Sequence, residues 1–210
     1  GTSRGGSARV SRHPWGAHYI PVPRADDLIL RSLLREVGAL EDGEPVERVL
    51  VREPESRVFY RGYWYAGLYP YAGASERDLA QLQRFMGMLA EYAQMRDTSG
   101  RRAFSIPMRE SSRDPELLAL DTMSAEAFLD ENGFDSERLR WLCNYACRDD
   151  YGLALSETSA WALIFYWAAR ATELERGEAF ETAEVLTWPE GNSALTGHMA
   201  RALRGRIDTG

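Results

Sequence analysis

Apolar residues recur along this chain mostly at helical spacing, with one stretch that alternates instead. Leu28, Leu30, Leu33, Leu34 and Val37 follow Asp26 and Asp27 and predict a helix through about Leu40. The runs "ERVLVRE", "SRVFYRG" and "YWYAGLYP" are short and rich in Val, Phe, Tyr and Trp. Turn signals at Pro54, Glu55 and Gly62 separate them, so they read as a small antiparallel meander. Ser75 and Asp78 take capping-box-like positions ahead of a helix to about Asp97. After a loop over 98–113, with a candidate short strand at "AFSIPM", the spacing predicts helices near 123–132, 136–148 and 157–175. The last two are separated by the loop "RDDYGLALS". The run "AWALIFYWAA" at 160–169 has no polar face and predicts a helix buried on nearly all sides. "AEVLT" at 183–187 leads into a final helix at about 192–204. Residues 1–24, interrupted by Pro14, Pro21 and Pro23, read as an irregular arm. The fold class expected is α+β, mostly helical.

Composition narrows the function classes. A chain of 210 residues with 44% hydrophobic content can bury a core as one large domain or two small ones. A net charge of −7 argues against nucleic acid as the main partner. All 25 basic residues are arginine, which reads most simply as coding bias in a GC-rich genome. The absence of lysine removes a Schiff base, a lysine general base and a phosphate-loop lysine from the available chemistry. Cys143 and Cys147 lie one helical turn apart and suit buried apolar positions better than a disulfide. His13, His18 and His198 show no metal-ligand spacing, so no metal is expected. The most apolar run is half the length of a membrane span. The start, "GTSRGGSARVSRHPWG", lacks the apolar core of a signal peptide. The compartment stays open, with the cytoplasm as default, and the chain reads as cut at both ends.

Three stretches carry candidate chemistry. In "HPWGAHYIPVP", residues 13–23, Trp15 and Tyr19 either anchor the arm to the body or pass a planar ligand, with Gly16 allowing close approach. "CRDDYG", residues 147–152, offers paired carboxylates for acid–base work, or simply a solvated helix end stopped by Gly152. "LTWPEGNSALTGHMARAL", residues 186–203, places Trp188 and Pro189 before a turn at Gly191, where Asn192 or Ser193 could cap the helix. Its free N–H groups could then face an anion.

Taken in order, "GTSRGG", "WGAHYIPVP", a helical and β insertion, and "LTWPEGNSALTGHMARALRGRIDTG" resemble the middle of a flavin-dependent amine oxidoreductase. That superfamily includes amine oxidases, protoporphyrinogen oxidase and phytoene desaturases. The resemblance implies an arm at 1–24 from the flavin-contacting segment, a substrate-binding domain at 25–182, and a re-entry segment at 183–210 returning to the FAD domain. It implies flavin contacts from Ser3, Arg4, Gly16, Ala17, His18, Trp188 and Gly191. Substrate contacts would come from Trp15, Tyr19, Arg148, Asp150 and Tyr151, with Trp15, His18 and Tyr19 of the arm expected to converge with Arg148, Asp150 and Tyr151 on one cavity. FAD is the cofactor of such a parent enzyme, and its partners would be a small-molecule substrate and the FAD-binding domain of the same polypeptide.

The departures from that pattern are specific. No GxGxxG occurs in the 210 residues, so this chain alone is expected neither to bind FAD tightly nor to be active. Glu190 stands where the re-entry turn usually has a first glycine, and the lysine that many amine oxidases place near the flavin is absent. The competing class is a self-contained helical module that binds a ligand or partner without catalysis. A cofactor-free hydrolase lacks a nucleophile elbow.

Overall fold

The computed structural model describes residues 3–23, 25, 27–52, 54–170 and 184–208. In chain order the elements are β1 (Gly5–Ser7), β2 (Arg12–Pro14), β3 (Tyr19–Pro21), α1 (Leu28–Glu36), β4 (Leu40–Glu41), β5 (Glu44–Pro45) and β6 (Leu50–Val51). Next come β7 (Arg57–Tyr60), β8 (Tyr63–Ala66), α2 (Glu76–Gln94), α3 (Pro115–Ala119), α4 (Ala125–Glu131), α5 (Glu137–Tyr151) and α6 (Ala160–Ala168). β9 (Val185–Thr187) and α7 (Ser193–Ala202) close the series. The architecture is helical with small antiparallel sheets, in two compact units: Gly1–Pro54 with Thr182–Gly210, and Glu55–Glu181. The segment boundary expected at 24/25 therefore falls at 54/55, because α1 and the strands after it pack with β3 and β9. Among the described residues no helix is long and apolar enough to cross a membrane.

The discontinuous unit is built on a three-stranded sheet in the order β3-β9-β6, with β9 in the middle. Ile20 and Leu50 both stand opposite Leu186, which is fully buried. Leu34, Ala39, Leu40, Val49 and Leu195 complete this core, with Ile20, Val37 and Trp188 packed against it. The expected irregular arm thus contains strands: β1 and β2 form a hairpin, and β3 finds its partner far along the chain. Helix α1 is shorter than expected. Asp27 caps it through Leu30 N at 3.1 Å, and Gly38 at φ +66° ends it. Leu28, assigned to its apolar face, is exposed, because the first residue of the helix precedes the packed turns. A hairpin follows, turned by Asp42 (φ 49°) and Gly43 (φ 91°), both in the left-handed region that such a two-residue turn requires.

The continuous unit packs α6 against α2, α4 and α5. The apolar run is central as predicted, with Leu163 and Ile164 fully buried and Trp167 meeting Phe85 edge-on at 5.5 Å. The helix starts at Ala160 rather than 157, because the Ser159 hydroxyl accepts from Ala162 N and caps it there. Residues 171–175, which complete the expected helix, lie outside the described residues. The three-stranded meander becomes a two-stranded β7–β8 hairpin, since β6 pairs with β9 instead. No strand forms at "AFSIPM", where Ser105 N donates to the Ser111 hydroxyl rather than to a ladder. The short helix α3, begun by Pro115 behind the Asp114 cap, lies in a region where no helix is expected from spacing.

Ser75 and Asp78 form the predicted capping box. Asp78 also accepts from the Ser136 hydroxyl at 2.6 Å, tying the start of α2 to the start of α5, and Gln81 accepts from Ser136 N at 2.9 Å. The hydrogen bond from Ser136, then those from Ser75, hold the Asp78 carboxyl down at about 2. A depressed carboxyl contributes stability above its unfolded value, near 3.8, and loses it as pH falls toward 2. Asp78→Ala should cost about 1–2 kcal/mol at neutral pH, the loss of a cap and a charge-assisted hydrogen bond. Thermal unfolding followed from pH 7 downward checks it. The variant's deficit should shrink as the parent's own carboxyl protonates, and a deficit constant with pH counts against this account.

Candidate functional site

The arm and the re-entry segment meet within one unit. Three successive arm carbonyls are taken up by that segment. Ala17 O accepts from Asn192 N at 3.0 Å, His18 O from the Thr187 hydroxyl at 2.6 Å, and Tyr19 O from Asn192 Nδ2 at 3.1 Å. Gly191, at φ +63°, lies against the arm so closely that a Cβ there would be 2.6 Å from Pro14 Cβ and 2.8 Å from Ala17 O. Arg12 reaches Glu190 at 3.0 Å from the same side. The arm backbone is therefore held from behind, while Trp15 and Tyr19 remain 69% and 49% exposed. Gly16 and His18 are also exposed, with His18 Nδ1 3.2 Å from Gly16 O and its ring edge-on to Tyr19 at 4.9 Å.

The remaining residues of this group are placed differently. Ser3 O lies 3.5 Å from the Thr196 hydroxyl. Arg4 O accepts from Trp15 N at 2.8 Å, and its guanidinium stands over the Trp15 ring at 5.5 Å. Trp188 packs on the core of the unit, which makes it a support for the sheet. Helix α7 lacks the side-chain cap expected at its start. Asn192 is turned to Tyr19, and the Ser193 hydroxyl donates to Glu190 O at 2.7 Å. The N–H groups of Gly191, Asn192 and Ala194 donate to Trp188 O, Ala17 O and Gly191 O. These donors are consumed internally, so the turn does not present them outward to an anion, contrary to the expectation from sequence.

Arg148, Asp150 and Tyr151 belong to the other unit, in the last turn of α5. The helix runs three residues past the expected end at 148, because Gly152 at φ +68° supplies the left-handed stop. Asp150 pairs with Arg170 at 2.7 Å, and the Arg170 guanidinium lies over the Tyr166 ring at 4.7 Å. Asp149 accepts from the Tyr166 hydroxyl at 3.3 Å. Tyr151 donates to Ala162 O at 2.8 Å, stitching α5 to α6, and burial pushes its phenol up to about 12. A phenol so placed holds its proton near neutral pH, so it can donate a hydrogen bond but not serve as a base. Cys143 and Cys147 are free and fully buried, their thiols pushed up mainly by burial. Among the described residues no cluster of His, Cys, Asp and Glu could hold a metal ion.

Sequence reasoning missed Thr187 and the clasping role of Asn192. A polar residue one or two positions from a turn glycine reads as a cap, and its real acceptor lies more than 170 residues away.

No family model matches this chain, and no curated protein matches it. Solved structures do. Wild-type putrescine oxidase bound to putrescine aligns at a TM-score of 0.64 with 16% sequence identity, covering 99% of this chain and 42% of that one. Cyclohexylamine oxidase from Brevibacterium oxydans IH-35A aligns at 0.56 with 16% identity, covering 95% of this chain and 40% of that one. At such identity the likeness is one of fold, and the chain spans about two fifths of the length of these oxidases.

Proposed function

We propose that this chain is the substrate-binding segment of an FAD-dependent, amine-oxidase-like oxidoreductase. The observation that carries the reading is the fold likeness to putrescine oxidase over 99% of the chain. The residues present fit contact with the face or edge of a planar cofactor. Trp15, His18 and Tyr19 present rings on a backbone already clasped from behind, and Asn192 Oδ1 is a buried acceptor without a partner in the same clasp. They do not fit the dinucleotide phosphates, which need a glycine turn and helix end that this sequence lacks. The rest of an oxidase of the size of putrescine oxidase would supply that part.

FAD, when bound, supplies the acceptor for a hydride leaving the substrate carbon. The chain's own residues orient and shield. Ser3, Arg4, Gly16, Ala17 and His18 would line the cofactor side, with Trp188 and Gly191 fixing that line from beneath. Trp15 and Tyr19 would hold the reacting carbon and exclude water. Arg148, Asp150 and Tyr151 would close the substrate side, with Arg148 the cation that orients a polar group. Tyr151 and Asp150 would act through the α5–α6 junction that they already brace.

The test uses the full polypeptide that contains this chain. It should purify yellow, and anaerobic putrescine or cyclohexylamine should bleach its flavin absorption. Asp150→Asn and Tyr151→Phe should slow that bleaching, whereas the 210-residue chain alone should be colourless. A full polypeptide without flavin, or a yellow isolated chain at unit stoichiometry, overturns the reading.

A further inference from the structure

Residues 96–114 carry five arginines against three acidic residues, in a chain of net charge −7. The three carboxylates are already engaged. Asp97 accepts from the Ser99 hydroxyl at 2.6 Å, the Ser112 hydroxyl at 2.7 Å, Ser99 N at 2.9 Å and Arg101 N at 3.0 Å. Asp114 caps α3 through Glu116 N at 2.9 Å, and Glu110 pairs with Arg109 at 3.2 Å. Arg96 and Arg102 donate to backbone carbonyls. Arg101 and Arg113 are left over: among the described residues neither guanidinium has an ion pair or a hydrogen bond. The backbone sets these two side by side. Ser112 N donates to Arg102 O at 2.8 Å, so the next residue outward on each side of the loop, Arg101 and Arg113, are neighbours across it. Both line one open cavity of about 580 Å³, together with Thr98 and Ser99. Like charges set opposite each other are destabilising, and an anion held between them removes that cost.

We infer that Arg101 and Arg113 bind the phosphate group of a small phosphate monoester, with the Thr98 hydroxyl as a further donor. Each guanidinium is a planar fork that takes two oxygens. Two forks suit a group with three strong acceptor oxygens and close to two negative charges, whereas a carboxylate fills only one. The cavity has the volume of a small-molecule site and is much larger than a lone phosphate ion, so it has room for the organic part of an ester. Hydroxyls and charged groups line it, which suits a hydroxylated organic part. The site lies wholly in the continuous unit, away from the residues assigned to flavin and substrate, and it needs neither.

Calorimetric titration of the 210-residue chain with glycerol phosphate, inorganic phosphate, succinate and glycerol, at constant ionic strength, tests it. Glycerol phosphate should bind saturably and inorganic phosphate more weakly, whereas succinate and glycerol give no saturable heat. Arg101→Gln and Arg113→Gln should each weaken binding roughly tenfold, the loss of one charge-assisted fork, and the double variant should not bind. Arg101→Lys keeps the charge without the fork, so its affinity should fall between that of Arg101→Gln and that of the unsubstituted chain. Arg109→Gln, which removes the partner of Glu110 outside the cavity, should change nothing. Thermal melts separate binding from folding. Saturating glycerol phosphate should raise the midpoint of the unsubstituted chain and leave that of the double variant in place. No saturable heat with glycerol phosphate, succinate or inorganic phosphate binding as tightly as the ester, or equal weakening by Arg109→Gln and Arg101→Gln overturns the site.

Discussion

Gly191→Ala should destabilise the discontinuous unit by about 2–5 kcal/mol while leaving the continuous unit intact. Two costs add. A left-handed conformation costs an L-residue about 1–2 kcal/mol, and forcing a methyl into a packed contact costs roughly 1–3 more. The contact here is unforgiving. The new Cβ would meet Ala17 O at 2.8 Å and His18 Cα at 3.0 Å, which are backbone atoms that cannot rotate away. Gly152→Ala supplies the control. It has nearly the same φ, +68°, but nothing within 4 Å, so only the conformational cost applies. Hydrogen exchange should show Val22 and Leu186 amides losing protection in the first variant, with α6 amides unchanged. Equal effects of the two substitutions would mean that the close approach of arm and turn contributes nothing.

Trp167→Ala should cost about 3–5 kcal/mol, the range for truncating a large aromatic side chain in a core. Trp167 is 7% exposed and packs edge-on against Phe85, which in turn meets Phe134 at 5.6 Å. Its removal therefore opens a void beside Phe85, the middle ring of an aromatic chain linking α6, α2 and the segment between α4 and α5. Trp161, six residues earlier in the same helix, should behave differently. It is only partly buried, and its indole N–H is buried without an acceptor. Trp161→Phe removes an unsatisfied donor and keeps most of the ring stacked on Phe165 at 4.9 Å, so it should be close to neutral. Urea denaturation of the variants separates the cases. A Trp167→Ala midpoint close to that of the parent would remove this helix from the core.

What was legible in the sequence follows the range over which each signal acts. The α2 start was readable because Ser75 and Asp78 satisfy each other within one turn. The α6 core was readable because a run without polar residues has no face to solvate. The end of α5 was readable in one of the two readings of "CRDDYG", the one in which Gly152 stops a solvated helix end, because a left-handed stop is a local signal. "EDGEP" likewise carried a hairpin signal in Asp42 and Gly43 that the helical periodicity before it obscured. The β3-β9-β6 sheet was not readable. Its strands are two or three residues long, and β3 pairs with a segment more than 160 residues away. For the candidate site the aromatic arm and the turn glycine stood out, but their mutual contact is non-local. Thr187, Asn192 and Pro14 acquire their roles only through it.

The middle position of β9 also bears on synthesis. Both outer strands of that sheet, and the helix and hairpin between them, leave the ribosome before their central partner exists. The 55–170 stretch emerges as one uninterrupted piece and can close its core while the first fifty residues still wait for residues 185–187. Until those three residues arrive, Ile20 and Leu50 have no Leu186 to cover them. Among these 210 residues, the segment before residue 55 is thus the part most in need of shelter from aggregation, although it leaves the ribosome ahead of the unit that closes before it.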